Sequence, residues 1–206
     1  MKDEKAIPAV ANLSDAMGRL GLKFQTMHSR IRPVFSPVQM HGPAYTVECY
    51  PGATWAVEEA LENARRGEVL VINGSNFAEA VLMGELMSAR AHRRGLAGAV
   101  IDGAVRDTVV LRKAGWPIFS SHVTPRSGTF DKLGRQQTVV SCGEVVVHPG
   151  DLIVGDDDGV VVIPAQRISE VIQSARAIDT QERFIAAAIK KGMSLAQAVA
   201  AYQKGT

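Results

Sequence analysis

Between residues 44 and 121 the sequence switches repeatedly between short Val/Ile-rich runs and segments with helical spacing, and this alternation limits the possible folds most. AYTVECY (44–50) alternates as a strand does and closes at Pro51-Gly52. TWAVEEALENARRG (54–67) carries Trp55, Ala56, Leu61 and Ala64 near helical spacing, with Thr54 at its start and Gly67 at its end. EVLVI (68–72) is the next strand, GELMSARAHRRG (84–95) the next helix, and GAVID (98–102) a further strand. A helix from Asp107 to Ala114 then leads into the strand PIFSS (117–121). Strands and helices in turn predict an α/β layer with parallel strands, because each helix carries the chain back to the same end of the sheet.

The flanks differ. TVVSCGEVVVHPGDLIVGDDDGVVVIP, ending at Pro164, holds three or four Val/Ile runs broken by tight turns, which predicts an antiparallel meander or small barrel. Upstream, LSDAMGRLGLK reads as a short helix capped by Ser14 or Asp15 and ended at Gly21. Residues 31–43, with Pro33, Pro37 and Pro43, form an extended connection. After Ala165 comes a long amphipathic helix with Ile168, Val171, Ile172, Ala175, Ile178, Phe184 and Ile185 on one side, then the short helix SLAQAVAAYQKG. The order predicts one compact sheet core over 1–164 and a helical arm over 165–206.

Composition removes several classes. With 206 residues, 46% of them hydrophobic, the chain buries a real core and is not disordered. Its 23 basic and 21 acidic residues nearly cancel, and aromatics make up 5%, so neither a basic face nor a stacking platform for nucleic acid is expected. Cys49 and Cys142 sit in apolar runs and read as buried free thiols, without a disulfide framework or a zinc cluster. MKDEKAIPAV has no apolar signal core, and no run approaches the roughly 18 residues of a membrane span, so a cytoplasmic protein with no membrane partner is expected.

Familiar catalytic fingerprints are absent: no GxGxxG, no GxxxxGK[ST] and no GxSxG. His148 reads as a turn residue before Pro149-Gly150, and Asp156-Asp157-Asp158-Gly159 as a hairpin turn rather than a metal loop. The segment 84–107 is harder to dismiss. Glu85 stands at a helix start, and Arg106-Asp107 follow a buried strand at another. Ligands collect beyond the C-terminal ends of such strands, and two acids with an arginine there can hold a divalent cation and a carboxylate. The competing reading is that Asp107 caps its own helix while Arg106 pairs with Glu85.

Twenty residues separate Glu85 from Arg106, and Asp107 follows directly. This acidic-x20-Arg-Asp pattern resembles the signature of the class II pyruvate aldolases acting on 4-hydroxy-4-methyl-2-oxoglutarate and 4-carboxy-4-hydroxy-2-oxoadipate. Their superfamily includes the RraA-type proteins, named as regulators of ribonuclease E. DAMGRLG (15–21), IRPV (31–34), GAVIDGAVRD (98–107) and HPGDLIVGDDDGVVVIP (148–164) are similar to family blocks in family order.

The resemblance implies a single-domain, layered α/β/β sandwich with a central mixed sheet, like a swivelling phosphohistidine-type domain, and a C-terminal helical arm that packs on a neighbouring subunit. It implies a metal-dependent lyase releasing pyruvate from a small 4-hydroxy-2-oxo acid through a metal-stabilised enolate, with oxaloacetate decarboxylase activity. Asp107 would bind Mg²⁺ or Mn²⁺, and Arg106 would stabilise the enolate. Glu85 would help take the C4 hydroxyl proton, and the backbone of Leu82, Met83, Gly84, Glu85 and Leu86 would hold the substrate carboxylate. A homotrimer or dimer of trimers is implied, in which Glu182 supports a neighbour's metal through water. The alternative is an RraA-like regulator that binds a ribonuclease or RNA helicase without catalysis.

Overall fold

The computed structural model describes residues 6–205; residues 1–5 and Thr206, within the expected core and arm ranges, lie outside the described residues. The chain divides into two units. Phe24–Ile168 forms one, and Met1–Lys23 with Ser169–Thr206 forms the other. The N-terminal helix is therefore grouped with the C-terminal helices, whereas its place in the sequence suggests the sheet core.

In the larger unit the strands are β1 (Arg32–Pro33), β2 (Gln39–Glu48), β3 (Val69–Met83), β4 (Gly98–Val105), β5 (Ile118–Val123), β6 (Arg135–Gln136), β7 (Val140–Cys142), β8 (Val145–Val147), β9 (Leu152–Asp156) and β10 (Gly159–Ile163). Eight of them build one sheet in the order β1-β5-β4-β3-β2-β9-β10, with β6 also paired to β2. β2, β3, β4 and β5 run parallel, as the strand–helix alternation predicts. β1, β6, β9 and β10 add antiparallel pairings, so the sheet is mixed. The Val-rich tail does form antiparallel strands, yet it is divided: β9 extends the main sheet through β2, and β7 pairs with β8 alone.

The crossovers are the helices α2 (Trp55–Asn63), α3 (Glu85–Arg94) and α4 (Thr108–Ala114). Their apolar residues Ala56, Val57, Leu61, Ala91 and Leu111 pack with Val47, Leu70, Ile72, Ile101 and Ile118 in one buried cluster. Side chains alternate across a strand, so the intervening residues Val69, Val71, Val100 and Phe119 enter a second cluster. Val140, Cys142, Val145 and Val147 of the small hairpin join that cluster. Helices on one face and a β-hairpin on the other give the expected α/β/β layering around the central sheet.

β3 departs most from expectation. It runs past residue 72 to Met83, with register shifts against β4 after Asn73, Phe77 and Val81. Ser75 and Asn76 lie in the left-handed region, so the polar run NGSN makes bulges inside a long strand rather than a plain loop.

The smaller unit contains α1 (Val10–Arg19), α5 (Ile168–Lys190, whose first residue belongs to the larger unit) and α6 (Leu195–Gly205). α1 begins upstream of the expected Ser14 or Asp15 cap, with Ala9 as its N-cap. Val10, Leu13, Ala16 and Met17 are buried, so its apolar spacing starts upstream of LSDAM. Among the described residues no helix is long and apolar enough to cross a membrane.

Candidate active site

Because β3 and β4 are parallel neighbours, their C-terminal ends lie together, with Met83 opposite Val105. The residues that follow, Glu85 after β3 and Arg106-Asp107 after β4, meet there although the sequence separates them. The Arg106 N–H donates to Met83 O at 3.2 Å. The Glu85 N–H donates to Asp107 Oδ2 at 2.9 Å. Arg106 Nε lies 3.5 Å from the same oxygen.

This geometry departs from the competing reading on both counts. Asp107 is the N-cap residue of α4 but makes no side-chain cap bond there. Its carboxylate instead caps α3, by taking the first N–H of that helix. Arg106 does not pair with Glu85; its partners are Asp107 and Ser127, whose Oγ accepts from Nη1 at 3.0 Å. The Glu85 side chain is exposed and has no partner among the described residues.

Two local features make the approach possible. Asp107 sits at φ 61° and ψ 33°, a left-handed conformation that costs most non-glycine residues about 1 kcal/mol or more and that Asp tolerates better than most. Gly84 is the other. A Cβ there would stand 2.7 Å from Asp107 Oδ2, 3.1 Å from Arg106 Cγ and 3.3 Å from Arg106 Nε. Only glycine leaves room for both side chains.

In the segment expected to hold a carboxylate, one backbone donor is already engaged. Leu82 and Met83 are buried side chains at the end of β3, with Leu82 Cδ1 packed over Gly74 and Gly103. The Glu85 N–H is taken by Asp107. Ser88 is the first residue of α3 whose N–H turns back into the helix, donating to Gly84 O at 3.1 Å. The Leu86 and Met87 N–H groups thus have no acceptor among the described residues and point out of the helix start.

Among the described residues no three His, Cys, Asp or Glu side chains gather as a metal cage. Asp107 Oδ1 has no partner among them. A single free carboxylate oxygen, with the exposed Glu85 next in the site, fits a hard cation that keeps most of its water, as Mg²⁺ does.

The other candidates are held by contacts of their own. Asp156–Gly159 is the β9–β10 hairpin turn, in which the Asp158 N–H donates to Asp156 Oδ1 at 3.0 Å. His148 lies 3.6 Å from Asp151 in a turn. Cys49 and Cys142 are buried free thiols. Glu182 lies on α5, where its Oε2 accepts from Asn12 Nδ2 at 2.6 Å. Sequence reasoning missed Ser127, because a serine in a polar loop after β5 carries no spacing signal.

Residues 10–162 match the family model RraA-like, described as Aldolase/RraA. A Halalkalibacterium halodurans protein named as a candidate 4-hydroxy-4-methyl-2-oxoglutarate aldolase is 36% identical, over 84% of this chain and 80% of that one. The crystal structure of an uncharacterised protein from Pseudomonas syringae pv. tomato DC3000 superposes with a TM-score of 0.85 at 31% identity, covering 93% of this chain and 92% of the other. Streptomyces coelicolor RraAS2, described as an unusual member of the RNase ES inhibitor RraA protein family, gives 0.77 at 30% identity, over 85% and 91% of the two chains. Family model, relatives and architecture agree, and the chain belongs to the RraA-like family.

Proposed function

We propose that the chain is a divalent-metal-dependent lyase that cleaves a 4-hydroxy-2-oxo (di)carboxylic acid to pyruvate and a second oxo acid. The observation that carries this reading is the meeting of Glu85, Arg106 and Asp107 at two adjacent strand ends. Asp107 would hold Mg²⁺ or Mn²⁺ through its free oxygen; when bound, the cation supplies Lewis-acid polarisation of the C2 carbonyl. Arg106 binds the C1 carboxylate and the C2 oxygen, which gains negative charge as the C3–C4 bond breaks. The free N–H groups of Leu86 and Met87 add donors for the carboxylate. Glu85, directly or through one water, accepts the C4 hydroxyl proton as C4 becomes a carbonyl. Return of that proton to C3, directly or through water, then yields pyruvate and restores the Glu85 carboxylate. Oxaloacetate loses CO₂ to reach the same enolate without any hydroxyl proton to remove, so decarboxylation belongs to the same site.

The test is pyruvate release from 4-hydroxy-4-methyl-2-oxoglutarate and from oxaloacetate, with Mg²⁺, with Mn²⁺ and after EDTA. Metal-dependent release is expected. Metal-replete protein that releases none from either substrate overturns the reading. The likeness to RraAS2 favours a second reading, a regulator acting on a ribonuclease or RNA helicase through its surface. Inhibition of such an enzyme by a chain inert toward both substrates would select it.

The site's surroundings support an assembly of a homotrimer or a dimer of trimers with sites at subunit boundaries. Leu86, Val109 and Val123 beside the site are 82%, 61% and 63% exposed. Phe184, Ile189, Met193 and Leu195 of the C-terminal helices are exposed as well. Apolar groups so placed suit burial against another copy. Glu182 of a neighbouring copy would then approach Asp107 through water. A fully active monomer in light scattering overturns this assembly.

A further inference from the structure

We infer that Ser127 is a positioning residue whose hydroxyl holds the Arg106 guanidinium beside Asp107, so that the guanidinium forms a ready cradle for the carboxylate and C2 oxygen of a 2-oxo acid. What the cradle receives rests on the lyase reading. The immobilisation of Arg106 does not.

Arg106 is a long side chain, 40% exposed, and two contacts hold its head. One is the ion pair to Asp107 at 3.5 Å, which is partly in water and therefore weak. The other is the hydrogen bond from Nη1 to Ser127 Oγ at 3.0 Å, the one hydrogen bond the guanidinium makes among the described residues. Without it, solvent competes for the guanidinium and several rotamers open.

Ser127 is itself held firmly, which makes it a useful anchor. The Thr124 N–H donates to Val105 O at 3.0 Å and the Val81 N–H to Arg126 O at 3.0 Å. Beyond Ser127, the Thr129 N–H donates to Gly52 O at 2.8 Å, and the Thr54 N–H and Oγ1 both donate to Thr129 O, at 2.9 and 3.0 Å. Gly128 lies so close to these backbones that a Cβ would stand 2.6 Å from Val81 O and nearer still to Gly52 O. The loop is thus pinned on both sides of Ser127 across the end of β3. Gly84 lies on the other side, where a Cβ would stand 3.1 Å from Arg106 Cγ and 3.3 Å from Nε.

The test compares Ser127→Ala and Ser127→Thr in the full chain. ¹⁵N relaxation of the Arg106 Nε–Hε group, identified by its disappearance in Arg106→Lys, reads the order of the guanidinium without any reaction. It is expected to be ordered in the parent, mobile in the Ala variant and ordered again in the Thr variant. Pyruvate release from oxaloacetate is expected to fall about tenfold in kcat/KM in Ser127→Ala, as loss of one hydrogen bond to a charged group implies, with most of it restored in Ser127→Thr. An ordered Arg106 in Ser127→Ala overturns the proposal, whatever the rates. So does a rate loss that threonine fails to restore. A parent protein that releases no pyruvate overturns the lyase reading instead, and the relaxation result still decides the role of Ser127.

Discussion

The Asp107 carboxylate takes the Glu85 N–H across 2.9 Å, so a residue that begins one helix caps the start of the next helix over. That bond ties the acid-bearing end of β3 to the arginine-bearing end of β4. It also leaves the other Asp107 oxygen without a partner among the described residues.

The left-handed backbone of Asp107 separates stability from function at one position. Asp107→Gly loses the cap but relieves the φ strain, two effects of about 1 kcal/mol each with opposite sign. Asp107→Ala loses the cap and keeps the strain. Thermal unfolding should therefore place the glycine variant near the parent and the alanine variant lower by about 1–2 kcal/mol. Both should release no pyruvate. A glycine variant less stable than the alanine variant would refute the strain.

Gly84→Ala adds one methyl group to the narrowest point of the site, 2.7 Å from Asp107 Oδ2. The Asp107 carboxylate must move, and as the partly exposed end of a side chain it can do so at small cost to stability. The fold should survive, because Gly84 lies at the edge of the core, while kcat/KM should drop far more than stability. Parent-like kinetics would show that the Arg106–Asp107 geometry is not needed.

Arg106→Lys should be nearly as damaging as Arg106→Ala. A lysine keeps the charge but loses the planar pair of donors that can bind a carboxylate while Ser127 holds a third N–H. Steady-state kinetics that recover most of kcat/KM with lysine would reduce Arg106 to a general positive charge.

Burial pushes the Cys49 thiol up to about 12, with the neighbouring Glu48 charge adding to the rise, and pushes Cys142 up as well. Both thiols therefore hold their protons more tightly folded than unfolded. Their contribution to stability is complete below the ordinary thiol pKa of about 8.5 and is lost as pH rises toward the folded value. Urea midpoints should fall above about pH 9, less steeply in a Cys49→Ala/Cys142→Ala variant. Native protein should leave both thiols unreacted toward a disulfide reagent at about pH 8, and urea should release two.

The parallel part of the sheet was legible because strand-like and helical runs alternate; Gly95 ends α3 as expected and Gly115 follows Ala114 at the end of α4, whereas α2 stops at Asn63, short of Gly67. The tail of β3 was not, since the Val/Ile-rich run stops at Ile72 and the polar NGSN becomes strand only through bulged pairing with β4. Nor was β1, where Arg32-Pro33 pairs at the sheet edge and a proline argues against a strand. The grouping of α1 with α5 depends on contacts such as Asn12 with Glu182, distant in sequence. At the site, Glu85, Arg106 and Asp107 were legible because ends of adjacent parallel strands meet. The partner that each group chooses was not: the cap given to α3 rather than α4, and the hydroxyl of Ser127, follow from backbone positions that no spacing encodes.

Glu85→Gln offers a way to tell proton transfer from charge. The Glu85 carboxylate is exposed and unpaired among the described residues, so replacing it by an amide breaks no internal contact and should leave folding unchanged. Aldol cleavage requires the C4 hydroxyl proton to leave as the C3–C4 bond breaks, and a positioned base is worth about 10²–10⁴ in rate. Decarboxylation of oxaloacetate has no such proton. Glu85→Gln should therefore slow cleavage of the hydroxy-oxo acid by about a hundredfold or more and change oxaloacetate turnover only slightly. Rates measured side by side on one preparation, at one metal concentration, check this. Equal losses on both substrates would mean that Glu85 serves binding or the cation, and the proton would have to be taken by another group.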